Sequence, residues 1–465
     1  MKALRDGDVH AVSVLSMLVI KMFSILLKVQ STKIYQRLSG NKNLLAAIIN
    51  SGWLIFDKLI RLLLGLLVSA WVARYLGPSK FGELAYVLAY LAFFQTIALL
   101  GMDGIVVRDI AKDRSKAGEM LGTACVLRLT VGAFCWIVAI VGMAWVNGLQ
   151  SSSVYITALA GASLIFQPAD TVDLWFQSQS QSRRTVIAKL IAYLISNGLK
   201  VVLILNSAPL LAFALVMSLE ALFAAVALVF AYRQYSCQQP WQLLSEKAKI
   251  MLKESWPFII SGLSVIVYMR IDQIMIKEML GESDLGIYAA VLPLATLWTF
   301  IPMTLSVSLA PLVARTKQES QHAYWVCLSA IFRGFALLGW LICIPVFLLS
   351  GYVVDILFGP DYASGSEVLS IAVFVNLFIN MGIAQSLWIL NEGKSKLSLY
   401  KTTLGASVCL ICNFFLIPEF GIVGAAISAL IAQFSSTMLA NAFLCRNIFI
   451  LQVKSLFFIK HSLTN

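Results

Sequence analysis

Twelve runs of about 20 apolar residues follow one another along this chain, each long enough to cross the hydrocarbon of a bilayer as a helix. Inside hydrocarbon every backbone N–H and C=O must be paired internally, which a helix does within its own segment. The expected spans are 46–73, 82–102, 120–146, 154–175, 185–205, 209–231, 256–278, 286–312, 326–350, 367–390, 398–417 and 421–444. The fold class is therefore an all-α integral membrane protein. Only 12% of the 465 residues are charged and mean hydropathy is +0.85, against roughly a quarter charged in soluble domains. No segment remains that is long enough for a separate soluble domain.

A net charge of +12 would suggest nucleic acid in a soluble protein. Here topology explains it, and no nucleic acid is expected as a partner. With both termini cytoplasmic, 25 Lys and Arg fall on the cytoplasmic side and only Arg74, Lys80 and Lys277 on the outer side, which is the positive-inside bias. Lys394, Lys396 and Lys401 are counted among the cytoplasmic turns. The run Val12 to Val29 is interrupted by Lys21 and Lys28 and is followed by no A-x-A cleavage site. It reads as an interfacial amphipathic segment or as sequence upstream of a start at Met17 or Met22; a thirteenth span and a signal peptide are the alternatives. The chain divides into an N-terminal segment 1–43, a first half 44–232, a cytoplasmic linker 233–255, a second half 256–445 and a cytoplasmic tail 446–465.

The stretch YLGPSKFGELAYVL, Tyr75 to Leu88, returns 204 residues later as MLGESDLGIYAAVL, Met279 to Leu292, with seven of fourteen positions identical. Among these are Gly77/Gly281, Gly82/Gly286 and Ala85/Ala289. Each stretch joins the first two spans of a six-span half, so the halves share one topology and imply a pseudo-two-fold axis along the membrane normal. Parallel repeats of this kind suit alternating access around a cavity at their interface.

The segment ARYLGPSKFGELAYVLAYLAFFQTIALLGMDGIVVRDIAKD, with YMRIDQIMIKEMLGESDLGIYAAVLPL in the second half, resembles the polysaccharide transporters that include the Wzx-type O-antigen flippases. These belong to the multidrug/oligosaccharidyl-lipid/polysaccharide (MOP) exporter superfamily, and the resemblance runs from about Asn43 to Arg446. It implies about twelve helices in two six-helix lobes around a cationic central cavity, related to the MATE-type exporters. It also implies translocation of an undecaprenyl-pyrophosphate-linked oligosaccharide, an O-antigen or similar surface repeat unit, across the bacterial inner membrane. Partners would be the lipid-linked oligosaccharide, the bilayer and polysaccharide assembly proteins such as a polymerase or chain-length regulator.

The span assignments leave Asp57, Lys58, Arg61, Arg128, Asp170, Asp173, Lys189, Lys200, Glu220, Arg270, Asp272 and Arg333 within or near hydrocarbon. A charge at helix centre costs about 2.5–3.5 kcal/mol even on lenient scales, so these residues need partners or an aqueous cavity. Arg61, Lys58, Arg128, Lys200 and Arg270 are the candidates for binding an anionic headgroup, because a guanidinium fork or ammonium stabilises a pyrophosphate in a low dielectric. Asp57 and Arg61, four apart, also suit a local ion pair. Arg270 and Asp272 lie about 200° apart around a helix and should reach different partners. Asp57, Glu220 and Asp272 are candidates for a coupling proton or sodium ion. Asp170 and Asp173 suit anchoring Lys189 or Arg184, and Lys189 and Arg333 lie near enough to span ends to reach headgroups. Pro293, Pro302 and Pro311, nine apart, are expected to let their helix bend.

No cofactor or metal is expected. Gly393 to Ser395 lacks the upstream glycine of a phosphate-binding loop, so ATP does not drive the protein directly. Cys409-x-x-Cys412 lies in an apolar run and suits helix packing better than redox chemistry. The rival readings are a cation-coupled multidrug exporter of the same superfamily and a membrane polysaccharide polymerase or ligase. The longest outer loop, about 351–366, is short for such an enzyme, which favours a transporter.

Overall fold

The computed structural model describes residues 42–179, 181–234 and 240–459, with side chains from Asp57 onward except that of Ser395. The run Val12 to Val29 lies outside these residues. All regular structure among the described residues is helical.

The first helix, α1 (Lys42–Ala98), changes direction at Gly77, whose φ of 74° is outside helical geometry, and Pro78 follows it. Glycine takes this conformation without a Cβ clash, and proline lacks the N–H that would continue the ladder. After α2 (Asp103–Lys112) and α3 (Ala117–Asn147), the fourth apolar segment is not one regular α-helix. It runs through α4 (Ser152–Gly161), α5 (Ser163–Phe166), a 3-10 turn at Gln167–Asp170 and α6 (Thr171–Ser178). Gly161 and Pro168 mark the junctions, since neither favours a helix interior. The backbone keeps right-handed helical dihedrals through these junctions, so the span expected over 154–175 is a helix that tightens locally into a 3-10 turn.

Next come α7 (Arg183–Leu205), α8 (Leu210–Gln234) and α9 (Ser245–Leu280). Residues 245–255, read from the sequence as linker, are the helical start of α9. Gly281, at φ 106°, then turns the chain into α10 (Glu282–Thr296). Gly281 is the repeat partner of Gly77, and both stand where positive φ is required. A 3-10 turn at Leu297–Thr299 separates α10 from α11 (Phe300–Glu319). Pro302 has no N–H to offer the carbonyl four residues back, which weakens the helix just there.

The remaining helices are α12 (Gln321–Phe358), α13 (Gly365–Ala372), α14 (Val375–Glu392), α15 (Ser395–Phe434), α16 (Ala440–Leu444) and α17 (Arg446–Leu456). α15 turns at Gly421 (φ 60°), and a π-turn at Ser435–Leu439 precedes α16. The expected tail opens with α17, which packs on the bundle through Ile448, Leu451 and Leu456. Nine helices or helix runs among the described residues are long and apolar enough to cross a membrane. The protein is a multi-pass, all-α membrane protein.

The main core lies where the two repeat segments meet, joining Val68, Val72, Leu84 and Tyr86 to Leu285, Tyr288 and Val291. At this crossing the backbones nearly touch. A β-carbon on Gly82 would lie 1.8 Å from the Glu282 carbonyl oxygen, and one on Gly286 would lie 1.9 Å from that of Pro78. These matched glycines make reciprocal contacts. Polar contacts surround them: Tyr86 donates to Glu278 Oε1 (3.1 Å), Lys277 to Asn147 Oδ1 (2.9 Å) and Tyr362 to the Ala73 carbonyl (2.7 Å). The end of the molecule that carries both repeated turns is therefore closed.

Candidate functional site

Beside this closed crossing, the part of α1 before Gly77 separates from α10 and α11 and leaves a cavity of about 450 Å³. One wall is Lys58, Arg61, Leu62, Gly65, Leu66, Ser69 and Ala70. Spacings of three and four put these residues on one helix face. The facing wall holds Pro293, Thr296, Leu297, Thr299, Phe300, Met303 and Thr304, with Phe358 also lining it. The 3-10 turn between α10 and α11 and its neighbours supply this wall, and of the three spaced prolines Pro293 lines it. Two cations, four hydroxyls and a run of apolar side chains line it, and no carboxylate among the described residues does.

Arg61 is held in place rather than free. Its Nε donates to Asp57 Oδ1 at 2.8 Å, and its guanidinium lies 4.8 Å from the centre of the Tyr193 ring. The Tyr193 hydroxyl donates to the Arg61 carbonyl at 2.8 Å. A β-carbon at Gly65 would come within 2.6 Å of that hydroxyl, so the glycine makes room for the tyrosine. Arg61 Nη2 is enclosed and has no acceptor, a deficit that an incoming anion would relieve. Lys58 is exposed on the same face, and no carboxylate among the described residues lies within ion-pair distance of it.

The other sequence candidates stand elsewhere. Lys200 Nζ is 3.5 Å from Glu220 Oε2, which also accepts from Ser196 at 2.7 Å; neither charged group lines the cavity. Arg270 Nη1 reaches Gln273 Oε1 at 3.4 Å, and no carboxylate among the described residues pairs with it. Asp272 is buried and accepts from the Tyr288 hydroxyl (2.5 Å) and the Gln273 backbone (2.8 Å). Arg270 and Asp272 thus do reach different partners. Lys189 bridges Asp170 (2.7 Å) and Asp173 (2.8 Å), and Arg333 reaches the Ile459 carbonyl at 3.5 Å.

Arg128 is 2% exposed and pairs with Asp103 at the start of α2, remote from the cavity lining. This geometry ties α3 to α2. Arg128→Ala should therefore lower stability by about 2–3 kcal/mol, near the low end for breaking a buried pair because Asp103 is half exposed. Unfolding of the purified variant would show this, with transport per folded molecule retained; loss of transport at unchanged stability would return Arg128 to the binding site.

Two polar sites escaped the sequence reading. Lys401, counted there among cytoplasmic turns, is 6% exposed and donates to Gln385 Oε1 and, at 3.5 Å, to the Thr437 carbonyl. Asn441 and Gln452 extend this network. The stripe Gln433, Thr437 and Asn441, spaced by four in an apolar run, was the available signal. Glu83, inside the repeated stretch, is buried and accepts from Ser152 and Ser153.

Residues 48–317 match the family described as polysaccharide biosynthesis protein. A Shigella dysenteriae protein, whose name assigns it provisionally to O-antigen transport, is 22% identical over 79% of this chain and 92% of its own length. The capsular polysaccharide biosynthesis protein CapF of Staphylococcus aureus is 27% identical over 35% of this chain and 42% of its own. In fold, the chain superposes on an inward-facing MATE family transporter of the MOP superfamily with a TM-score of 0.69 at 14% identity, covering 86% of this chain and 99% of the other. For the lipid II flippase MurJ in an inward closed form the TM-score is 0.65 at 12% identity, covering 89% and 91%. With the family matched over more than half of the chain, the chain belongs to the polysaccharide biosynthesis protein family, and it shares the fold of these membrane transporters.

Proposed function

We propose that the protein is a flippase that carries an undecaprenyl-pyrophosphate-linked oligosaccharide across the bacterial cytoplasmic membrane by alternating access. The observation that carries this reading is the lining of the cavity: Lys58 and Arg61, four hydroxyls, an apolar remainder and no carboxylate among the described residues. A diphosphate needs cations and fork-shaped donors, the sugars need hydroxyl partners, and an apolar wall suits the lipid. A cationic drug would gain nothing from such a surface. The relatives named for O-antigen transport and capsular polysaccharide biosynthesis support the same substrate class.

In this reading the membrane domain has twelve crossings in two six-helix lobes, with the boundaries expected from the sequence. Nine long helix runs, the two of them that turn at Gly77 and Gly421, and the fourth segment add up to that number. The positive-inside bias puts both termini in the cytoplasm and the closed, turn-bearing end outside. The cavity then faces inward and opens sideways to lipid between α1 and α10–α11, so the headgroup enters while its lipid tail stays in the bilayer. Arg61 and Lys58 contact the diphosphate first, and Arg270, which pairs with no carboxylate among the described residues, is the next anionic subsite. Lys200 and Arg128 act as partners of Glu220 and Asp103. Movement is ion-coupled, through Asp57, Glu220 or Asp272.

In cells lacking the gene, lipid-linked repeat units should accumulate on the cytoplasmic leaflet and surface polysaccharide should disappear. Leaflet-specific labelling of the glycolipid measures this. Normal surface polysaccharide together with altered drug tolerance would overturn the reading in favour of a drug exporter.

A further inference from the structure

The cavity beside α1 has two chemically different walls. Four hydroxyls line it, those of Ser69, Thr296, Thr299 and Thr304. Each hydroxyl has one proton to give and two lone pairs with which to receive. On the α10–α11 side the protons are already given to the chain's own carbonyls. Thr296 Oγ1 donates to the Leu292 carbonyl at 3.2 Å, Thr299 Oγ1 to that of Thr296 at 2.9 Å and Thr304 Oγ1 to that of Phe300 at 2.8 Å. A hydroxyl that swung round to donate to a ligand would give up a bond it already makes. What these three threonines hold out to the cavity is therefore lone pairs.

The α1 side is the reverse. Lys58 and Arg61 carry donors only, and Arg61 Nη2 is enclosed without an acceptor. Ser69 lies eight residues on from Arg61 along the same lined face, and its hydroxyl has no partner among the described residues. One wall donates and the facing wall accepts. The two walls cannot trade roles. An ionised phosphate oxygen has no proton for the threonines and must pair with α1, whereas a sugar hydroxyl can give its proton to them. A molecule that satisfies both walls of this cavity of about 450 Å³ carries bare acceptors at one end and hydrogen-bond donors at the other. A lipid diphosphate without a sugar satisfies one wall only. The accepting face also continues along α11: Ser308, four residues beyond Thr304, is exposed and donates to the Thr304 carbonyl at 3.3 Å.

We propose that Thr296, Thr299 and Thr304 are the sugar-binding wall of the cavity, accepting hydrogen bonds from the hydroxyl or amide N–H groups of the sugar joined to the diphosphate. This rests on the flippase reading and adds two things to it. The headgroup is oriented, diphosphate on α1 and sugar on α10–α11, with Ser308 placed for the sugar that follows. The first sugar is also selected for free donors, because one that lacks them leaves lone pairs unpaired in a water-poor site.

The test is binding to the purified full-length protein in lipid nanodiscs. The probes are undecaprenyl diphosphate, the same lipid carrying one hexose, and that glycolipid with fluorine, which does not donate, in place of the ring hydroxyls. The hexose should tighten binding over the bare diphosphate, and the fluorinated hexose should not. Thr299→Val and Thr304→Val keep the shape of the side chain and should each weaken binding of the hexose-bearing lipid by about 2- to 13-fold, the worth of one neutral hydrogen bond, with the bare diphosphate unchanged. Thr304→Ser should keep the preference for the hexose, and Arg61→Ala should weaken every probe. A hexose that adds nothing in the unmodified protein would overturn the proposal. So would valine variants of unchanged unfolding midpoint that bind the glycolipid normally, or that lose the bare diphosphate equally. In those cases binding that still depends on Arg61 leaves the flippase reading standing. Binding of no probe, or binding indifferent to Arg61→Ala, would overturn both.

Discussion

Gly82→Ala should stop transport while leaving a folded protein. Gly82 sits in a helix, where alanine is by itself better by about 1 kcal/mol, so the local helix gains from the change. The loss comes from the crossing. The new β-carbon would fall 1.8 Å from the Glu282 carbonyl oxygen and 2.8 Å from Gly286 N, both backbone atoms that no rotamer change can move. Relief requires α1 and α10 to separate, and overpacking of this kind costs about 1–3 kcal/mol, roughly a 5- to 150-fold shift away from the closed crossing. A cysteine at Ser69, on the cavity wall, reports it. Its labelling by an impermeant thiol reagent from the turn-bearing face should speed up by a similar factor. Gly286→Ala should behave alike because its contact with Pro78 is reciprocal, and Gly334→Ala, which meets nothing within 4 Å, should change neither labelling nor transport. Normal transport and slow labelling in Gly82→Ala would show that this crossing never has to close.

Arg61→Ala is expected to reduce flipping by about 30- to several-thousand-fold, the range set by 2–5 kcal/mol for truncating one partner of a buried, charge-assisted contact. Arg61→Lys should keep part of the activity, because the charge stays while the fork that grips two phosphate oxygens is lost. Asp57→Asn separates positioning from charge. It removes the 2.8 Å contact that aims the guanidinium but leaves the cation, so it should weaken substrate binding less than Arg61→Ala does. Because Arg61 also packs on Tyr193, each variant needs its unfolding midpoint measured; activity lost in proportion to stability would remove Arg61 from the site. Arg270→Ala should lower transport less than Arg61→Ala, since Arg270 lies off the cavity wall.

Much of the architecture was legible in one dimension. Runs of about 20 apolar residues must be helices in a bilayer. The repeated glycines marked positions where the backbone either turns with positive φ, at Gly77 and Gly281, or nearly touches another backbone, at Gly82 and Gly286. Short-range charge pairs were legible too: Asp170 and Asp173 do hold Lys189, and Asp57 does hold Arg61. Irregularities inside spans were not. Pro168 and Gly161 look like the tolerated prolines and glycines of any membrane helix, and only the structure shows that the helix tightens into a 3-10 turn at Gln167–Asp170.

The sequence by itself determined that this chain is a bundle of membrane helices that uses one turn motif twice, with more charge inside than lipid tolerates. Hydropathy and spacing are properties of each segment alone, so they carry that far. Which buried charges face a common cavity was decided by tertiary structure. Span assignment gives a residue its depth, but its neighbours depend on the rotation of each helix and on which helices lie side by side. Lys58, Arg61, Arg128, Lys200 and Arg270 were all candidates along the chain, Arg270 foremost. Folding put the first two on a cavity wall, paired the next two with Asp103 and Glu220, and left Arg270 without a carboxylate among the described residues.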